Sequence, residues 1–546
     1  MATAAASPEI FVRKSSGLVR VMSPSSAFVY NILTMGLIFP WTYLWAPGAL
    51  PGGQLVWGIL LAMILEIPIS LAYVWLSTAL PRSGGDYVFQ SRVFGGGVAF
   101  TVVMSGFVIW ILQWVALSGW LLAYLGFAPL FLGLGATMGN TSFLDLAAWF
   151  ASSDGVIVVS IINAFVALVI LSTGFHNYVR LQRVMWVATL IAFATMLIVL
   201  LTAATGAVPN QLNAFSSSIG GSSTFYQDAV TAVQKAGIDL NPPFSLLATL
   251  LVAPIAWTSL QWATYSAQQN GEIKDARSFK SQAIIIVGSL VATGLLLALL
   301  AYALENAVGT QFLYVAGAGY WSAVSEATLN GLWLWPNIIA VALAASPIVV
   351  VLIAAGYILN SHQIVHNCYI GMTRIMMAMS FDRILPQWLS DVSERFHTPV
   401  KAHLAYFLAS IPVIILYNKF SYGTTTWASL TLGVTFACGY VFVATSLAGA
   451  LLPFRAKAVY EASPGAKYSI GGVPWLTIVG IIGFGAGVIF ELLFIFNDQL
   501  GLTTFLARAV VLVVLVFSAA WYVATKYLQQ RRGINVDFAF REIPPE

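Results

Sequence analysis

Charged side chains are scarce in this sequence. Only 8% of the 546 residues are Asp, Glu, Lys or Arg, whereas 59% are hydrophobic. An ordinary soluble domain carries roughly 25% charged residues, and so few charges cannot cover a water-facing surface. The composition therefore excludes a soluble globular protein and predicts one membrane domain that fills nearly the whole chain.

Cysteines are few, and we expect no cleavable leader sequence. Cys368 and Cys438 are the only cysteines, and two distant thiols do not make a disulfide framework, so we expect both to be packing residues. The amino-terminal stretch contains Arg13, Lys14 and Arg20 without an apolar core of its own. This pattern does not fit a cleavable signal peptide, and we expect the first hydrophobic segment to remain as a span.

Long apolar runs predict twelve transmembrane helices and therefore an all-α integral membrane protein. The runs lie near residues 25–47, 54–80, 96–126, 154–174, 184–206, 244–268, 281–304, 336–362, 402–418, 425–451, 474–497 and 503–527.

The basic residues indicate the orientation of these helices. With the amino terminus in the cytoplasm, every Lys and Arg except Lys235, Lys419 and Arg508 falls in an inner segment. Such a bias is the positive-inside rule, and one missed helix would destroy it. We therefore expect a multi-pass plasma-membrane protein with both termini in the cytoplasm. The basic residues form no single patch, so nucleic acid is not an expected partner.

Two predicted helices carry signals for a break. The first contains Gly36 and Pro40, and the sixth contains Pro254 within residues 253–259. The two helices are five spans apart and run in opposite directions, and paired interruptions of this kind mark transporter sites at the membrane midplane. Amino ends of half-helices attract a carboxylate and carboxyl ends attract an ammonium group, so a zwitterion fits both. The alternative for the first helix is a packing glycine and a simple proline kink.

Three loop motifs then indicate a family. They are Leu-Pro-Arg-Ser-Gly-Gly-Asp-Tyr-Val-Phe at 80–89, Asn-Gly-Glu-Ile-Lys-Asp-Ala-Arg at 270–277, and a set beginning Thr-Arg-Ile-Met-Met-Ala-Met at 373–379 and ending Thr-Pro-Val-Lys-Ala at 398–402. In this order they resemble the amino acid permeases of the amino acid, polyamine and organocation superfamily. The resemblance covers roughly residues 25–500 and implies a LeuT-type 5+5 inverted repeat followed by two extra helices.

The resemblance also implies a division of the chain. The parts are a cytoplasmic amino-terminal segment (1–24), a first inverted repeat (25–206), an extracellular loop (207–243), a second inverted repeat (244–451), two further helices (452–527) and a cytoplasmic tail (528–546).

By the same resemblance, substrate lies between the unwound parts of the first and sixth helices. Backbone groups of Thr34, Met35, Gly36 and Leu37 are expected to bind its carboxylate, and carbonyls near Leu33 and Ala256 its amine. Trp257 is the expected aromatic gate, with bundle packing as the alternative, and Thr258 and Ser259 are expected to line the pocket. Family members often have a glycine where this chain has Thr34.

The loop motifs are expected to hold an inner gate. Gly84 and Gly85 would form a turn, and Asp86 and Arg92 would pair with neighbouring loop charges. Glu272, Lys274 and Arg277 would do the same. The inner-gate set also includes Arg374 and Asp382.

Ionisable groups inside spans suggest functional roles because they are costly to bury in a bilayer. Glu66 is the main candidate for proton coupling, with a hydrogen-bonded structural acid as the alternative, and Glu491 is expected to serve packing or oligomer contacts. Thr189 stands where some proton-coupled relatives carry a lysine, which leaves exchange, facilitated flow, sodium coupling or another proton site open. His362 and His366 are four residues apart but lack a third ligand, so no metal site is expected.

The predicted function is secondary active transport of amino acids, with a proton or sodium ion as a possible co-substrate and no cofactor. A polyamine or other organocation is the alternative substrate, although the predicted pocket lacks the carboxylate that such a substrate favours. An enzyme would need a compact catalytic set, and the spans contain only isolated acids. A sensor or receptor would need a signalling domain or a long cytoplasmic loop, and the predicted inner loops are short.

Overall fold

The computed structural model describes residues 17–420, 425–500, 502 and 504–541. Parts of the predicted terminal segments, residues 1–16 and 542–546, lie outside the described residues, and Arg13 and Lys14 are among them. The first hydrophobic segment is not one helix but two, α1 (Pro24–Met35) and α2 (Thr42–Ala49). The chain between them leaves helical geometry at Gly36, which adopts the left-handed conformation with φ +76°. Glycine has no Cβ and adopts this conformation without strain, so the predicted break in this segment is present.

The remaining α-helices include most of the predicted spans and several shorter elements. In chain order they are α3 (Leu55–Ala79), α4 (Gly85–Phe94), α5 (Gly96–Met138), α6 (Thr141–Ala151), α7 (Ser153–Ser172), α8 (Phe175–Thr202), α9 (Val208–Ser218), α10 (Phe225–Lys235), α11 (Leu246–Leu260), α12 (Phe279–Trp321), α13 (Pro336–Ala344), α14 (Pro347–Phe381), α15 (Val400–Phe420), α16 (Thr425–Arg455), α17 (Lys457–Glu461), α18 (Trp475–Phe496) and α19 (Phe505–Arg531).

Other elements interrupt or connect these helices. Helix α11 continues as a 3₁₀ segment, Gln261–Glu272, and α5 contains π-helical turns at Met104–Ile109 and Leu121–Phe127. Another π-helical turn, Ile284–Gly288, lies in α12. Short 3₁₀ turns are Thr205–Ala207, Ser325–Ala327, Gln387–Ser390, Asp498–Leu500 and Val536–Arg541. Two antiparallel hairpins pair β1 (Thr328–Leu329) with β2 (Leu332–Trp333), and β3 (Ser469–Ile470) with β4 (Val473–Pro474).

Eleven helical stretches of the described chain are long and apolar enough to cross a bilayer. The molecule is therefore an all-α, multi-pass membrane protein. The stretches are α3, α5, α7, α8, α11 with its 3₁₀ continuation, α12, α14, α15, the Thr435–Arg455 part of α16, α18 and α19. The broken first segment is not among them because each of its halves is short.

The helix ends differ from the predicted ones where polar turns continue a helix. The span predicted at 184–206 runs instead from Phe175 to Thr202, so Arg180 and Arg183 are helical. The span predicted at 336–362 is replaced by the short α13 and by α14, which continues to Phe381. Hydrophobic runs mark the part of a helix that lies in hydrocarbon, and a helix can extend beyond it.

The segments predicted as loops also contain helices. The 207–243 segment holds α9 and α10. The second half of the first family motif, residues 85–89, lies in α4 rather than in a loop, and Arg374 of the third motif lies inside α14. These motifs therefore present their side chains from fixed helical positions.

Both described ends of the chain meet at one end of the bundle, which we name the terminal face. There the Met22 amide donates to the Glu272 carbonyl, and the Ala539 carbonyl accepts from Arg92 Nη2. The opposite end, which carries the β1–β2 hairpin, is named the distal face. Close helix contacts rely on small residues: an added Cβ at Gly48 of α2 or Gly317 of α12 would overlap the other helix, a packing mode that membrane proteins favour.

Candidate functional site

A central cavity lies beside the break between α1 and α2. The space in it that a water-sized sphere can occupy is about 20 Å³, room for about one water molecule. Its walls come from α1, α5, the 3₁₀ segment after α11, and α14. The lining residues are Thr34, Ile111, Trp114, Trp262, Tyr265, Ile364, Asn367 and Cys368. Of the predicted substrate-binding residues, only Thr34 is among them.

Thr34 and Asn367 form the polar side of the cavity. The Thr34 hydroxyl donates to the Tyr30 carbonyl at 2.6 Å and accepts a hydrogen bond from Asn367 Nδ2. Asn367 Oδ1 accepts from the Tyr178 hydroxyl at 2.7 Å. Trp114 supplies a different feature, since its buried Nε1 has no hydrogen-bond partner in the described chain. A buried donor left unpaired costs free energy, so this wall offers a donor to a bound ligand.

The backbone of the first break is already hydrogen-bonded. The Gly36 amide donates to the Ile32 carbonyl at 3.2 Å, and the Leu33 carbonyl accepts from Asn360 Nδ2 at 3.2 Å. Met35 and Leu37 are buried hydrophobic residues. In this closed conformation the Gly36 amide and the Leu33 carbonyl, which the sequence suggested for the carboxylate and the amine, therefore have protein partners.

The second interruption is displaced from its predicted position. Residues 253–259, including Ala256 with its predicted amine-binding carbonyl, lie inside α11, and Pro254 is accommodated within that helix. The α-helix ends at Leu260, and the following 3₁₀ segment has a non-helical residue at Gln269 with φ −107° and ψ 20°. A polar run follows Leu260, with Gln261, Thr264, Ser266, Gln268, Gln269 and Asn270. That run, rather than the proline, was the signal for the break.

The predicted gate residue Trp257 does not line the cavity. It is fully buried, its Nε1 donates to Glu66 Oε2 at 2.6 Å, and its ring centroid lies 5.0 Å from that of Phe490. Thr258 donates to the Ile255 carbonyl at 2.7 Å, and Ser259, one residue later in α11, is also absent from the cavity wall. The aromatic residues at the cavity are instead Trp114, Trp262 and Tyr265, which the sequence analysis missed.

Aromatic rings close the cavity toward the distal face. Trp41, just after the first break, stacks on Trp120 with ring centroids 5.5 Å apart and meets Trp335 at 5.0 Å. Trp120 in turn stacks on Tyr124 at 4.7 Å. Ile111 and Trp114 of the cavity precede Trp120 along α5, so this aromatic cluster lies between the cavity and the distal face.

Two buried ion pairs lie on the terminal side of the cavity. Arg374 Nε and Nη2 bind the Glu272 carboxylate at 2.8 and 2.9 Å, and Arg92 binds Asp382 at 2.9 and 3.1 Å. The four side chains are at most 4% exposed. Bidentate Arg–carboxylate pairs are strong and specific when water is excluded. The expected charge pairing of Arg92 and of Glu272 is thus present, as two separate ion pairs, and the role of these residues as an inner gate stays a prediction.

The other inner-gate residues behave differently from the prediction. Asp86 pairs with no charge among the described residues and instead accepts hydrogen bonds from Tyr73, Gln268 and Thr445. Burial raises the pKa of its carboxyl to about 6. Lys274 and Arg277 are exposed and take part in none of the ion pairs found in the described chain.

The two glycines before Asp86 provide close packing. Gly84 has φ +98°, its amide donates to the Gln268 carbonyl at 2.9 Å, and an added Cβ would overlap Ala378. Gly85 has φ +24°, and an added Cβ would meet Gln268 and Ala267. The pair thus joins α4 to the 3₁₀ segment and to α14.

The coupling candidates lie away from the cavity. Glu66 is fully buried in α3 and accepts hydrogen bonds from Trp257 and from Ser70, the latter at 3.4 Å. Thr189 is buried in α8, and its hydroxyl donates to the Met185 carbonyl of its own helix at 2.8 Å.

Comparisons with known proteins agree with this arrangement. A family model described as amino acid permease matches residues 24–517. Uncharacterized transporters of Mycobacterium bovis and Mycobacterium tuberculosis are each 25% identical over 362 residues, covering 66% of this chain and 66% of the relative. An uncharacterized protein of Sulfolobus islandicus rod-shaped virus 1 is 32% identical over 102 residues, covering 17% of this chain and 26% of the viral protein.

The chain thus spans less than two thirds of the length of each of these curated relatives. The family match is much broader and covers nearly the whole chain, from α1 into α19. With this match and eleven membrane-length helices in its described residues, this chain belongs to the amino acid permease family.

Proposed function

We propose that this protein is a secondary active transporter of amino acids that binds its substrate in the central cavity. The observation that carries the proposal is the position of the cavity, which has a helix interruption on two of its sides, after α1 and after α11. Interrupted helices in two halves of a transporter supply the polar backbone for substrate at the membrane midplane.

The cavity chemistry favours an amino acid with an apolar side chain. Thr34, Asn367 and the unpaired Trp114 Nε1 offer polar contacts at one side, and Ile111, Ile364 and the rings of Trp262 and Tyr265 form the rest of the wall. None of the lining residues is a carboxylate. A polyamine would leave its ammonium groups without ionic partners there, so an amino acid is the better match.

We further propose twelve spans in a LeuT-type arrangement, with α1 and α2 together forming the first. The terminal face is then cytoplasmic, because the segments on that side carry most of the basic residues. The plasma membrane is the proposed location. The repeats and the boundaries between them remain those implied by the family resemblance.

Alternating access requires that the two closures open in turn. The Trp41–Trp120–Trp335 cluster would open toward the outside, and the Glu272–Arg374 and Arg92–Asp382 pairs toward the cytoplasm. Asp86, Gly84 and Gly85 would hold α4 against the 3₁₀ segment while the inner side is closed. A proton or sodium gradient is the proposed energy source, with Glu66 and Thr189 retained as candidates from the sequence.

Counterflow in proteoliposomes tests the substrate and the site together. The proteoliposomes are loaded with unlabelled compound, and uptake of labelled amino acids and polyamines is measured for wild type, Thr34→Val and Trp262→Leu. We expect exchange of neutral amino acids, with KM raised at least about tenfold in both variants, since each loses one substrate contact of about 1.4 kcal/mol.

Trp186→Leu is the matched control because Trp186 lies in α8 and does not line the cavity. It should leave KM unchanged. Exchange of polyamines alone would replace the amino acid assignment by the alternative substrate class. Exchange of amino acids with unchanged KM in both cavity variants would place the binding site elsewhere.

A further inference from the structure

Another buried acid lies behind the cavity, on the far side of α11. Glu491 belongs to α18 and is 7% exposed. Neither of its carboxylate oxygens has a hydrogen-bond partner in the described chain. This differs from Glu66, whose two oxygens both accept hydrogen bonds. The sequence suggested the opposite roles, with Glu66 as the functional acid and Glu491 as a packing residue.

The space for the Glu491 carboxyl is made by a glycine. An added Cβ at Gly439 of α16 would overlap Glu491 Oε1 and lie 3.0 Å from the Cη2 and Cζ3 atoms of Trp257. The opposite edge of that indole donates to Glu66. One tryptophan of α11 therefore has an acid at each edge, and a glycine opens the space that the second acid occupies.

The groups around Glu491 cannot neutralise a carboxylate. Cys438 and Tyr440 face it from α16, and Glu66 lies beyond Trp257 on α3. The Cys438 thiol donates to the Gly106 carbonyl, and the Tyr440 hydroxyl donates to Ser105. Trp257 is the facing residue of α11 and has no charge.

A basic residue that contacts this end of α18 is also engaged elsewhere. Arg508 donates through Nε to the Leu502 carbonyl at 2.9 Å and through Nη2 to the Ile495 carbonyl at 2.6 Å. A lone carboxylate in such an apolar site costs several kcal/mol. In the closed conformation Glu491 must therefore hold a proton. It can ionise only when the site opens and water reaches it.

We propose that Glu491 is a proton-binding site that couples a proton to the transport cycle. The step is a reversible proton transfer: an O–H bond forms between a Glu491 oxygen and a proton from hydronium, which leaves as water, and the reverse transfer occurs when the site opens. Because the closed conformation favours the protonated acid and a hydrated one favours the carboxylate, proton binding and conformation are linked. A change in the protonation of Glu491 acts on Trp257, and through it on α11 and on the cavity residues that follow α11.

This inference rests on the proposed transport function, so two readouts distinguish a failure of proton coupling from a failure of transport. Exchange at equal pH on both sides measures transport, and accumulation driven by an acidic outside measures proton coupling. Glu491→Gln keeps the size of the side chain but cannot release a proton. We expect it to exchange at a rate within about twofold of wild type while gradient-driven accumulation falls to the level without a gradient. Wild-type exchange that ignores the proton gradient, or full accumulation by Glu491→Gln, would overturn the proposal.

A measurement without substrate keeps the inference testable if no transported compound is found. The infrared spectrum of the purified protein at neutral pH should contain the C=O stretching band of a protonated carboxylic acid, and Glu491→Gln should remove it. Glu66→Gln is the matched control, because the other edge of the same tryptophan contacts Glu66, and it should leave the Glu491 band in place. A band that disappears only in Glu66→Gln would assign the proton to Glu66 instead.

Discussion

Removal of one partner from the Glu272–Arg374 pair should open the cavity toward the terminal face. Both side chains are essentially fully buried, and breaking a buried ion pair by losing one partner costs about 3–5 kcal/mol. In Glu272→Gln the amide can still accept one hydrogen bond, and Arg374 keeps a contact to Thr373 at 3.2 Å. We therefore take the lower value, about 3 kcal/mol, which corresponds to roughly a hundredfold change in an equilibrium.

The reporter for this opening is native to the chain. Cys368 lines the cavity, and Cys438, the other cysteine, is buried in α16. In a Cys438→Ala background, the rate of maleimide labelling of Cys368 measures the fraction of molecules with an open cavity. Glu272→Gln should raise that rate by up to about a hundredfold, because Arg374 gains water only when the terminal face opens.

Two controls distinguish gating from general damage. Glu272→Gln/Arg374→Gln removes the uncompensated charge as well and should return most of the way to the original rate. Asp391→Asn breaks the exposed Lys401–Asp391 pair on the same face, whose side chains are 62% and 54% exposed, and should change the rate less than about twofold. A Glu272→Gln rate equal to that of Asp391→Asn would refute the role of the buried pair as a gate.

Two further perturbations act on stability. Burial raises the pKa of Asp86 from 3.8 to about 6, so the folded protein holds this proton more tightly than the unfolded chain. The free energy of unfolding therefore falls as pH rises from about 4 through 6, by at most about 1.4 kcal/mol per pH unit. Asp86→Asn should flatten that part of the Tm–pH profile, and an unchanged profile would contradict the assignment. Gly439→Ala should lower Tm through a clash of about 1–3 kcal/mol with Glu491, and Gly439→Ala/Glu491→Ala should recover only part of the loss, because the added Cβ still lies 3.0 Å from two Trp257 atoms. A normal Tm in the single variant would place the carboxyl elsewhere.

Hydrophobic runs predicted the eleven membrane-length helices of the described chain but not their ends, and they did not show that the first segment is two short helices. Arg180 lies within α8, which was predicted to begin after it, and Arg374 lies within α14, which was predicted to end before it. Charged turns at the edge of the bilayer satisfy their side chains with water or ion pairs, so the helix continues although the apolar pattern stops. This is why Arg374 was expected in a loop and is instead fixed in α14 opposite Glu272.

The second helix break shows where residue patterns mislead. Pro254 drew attention because proline removes a backbone donor, yet membrane helices accommodate proline. The α-helix ends later, at Leu260, where a polar run begins. The aromatic residue expected at the cavity was Trp257, which lies outside it. The residue in the cavity wall is Trp262, five positions later. Pairings such as Trp257 with Glu66 depend on tertiary contacts, which no single-sequence pattern contains.

The position of Trp257 also explains how an acid outside the cavity can influence substrate. Trp262 Nε1 donates to the Thr258 carbonyl at 3.0 Å, so the cavity ring is hydrogen-bonded to the helical turn that follows Trp257. The two tryptophans are five positions apart, which corresponds to about 7.5 Å of α-helix rise, and this stretch lies where α-helical geometry gives way to 3₁₀. A change in the protonation of Glu491 that shifts Trp257 must therefore move Thr258 and, through it, Trp262. Proton binding and substrate binding would then act on one element, which is the physical requirement for their coupling.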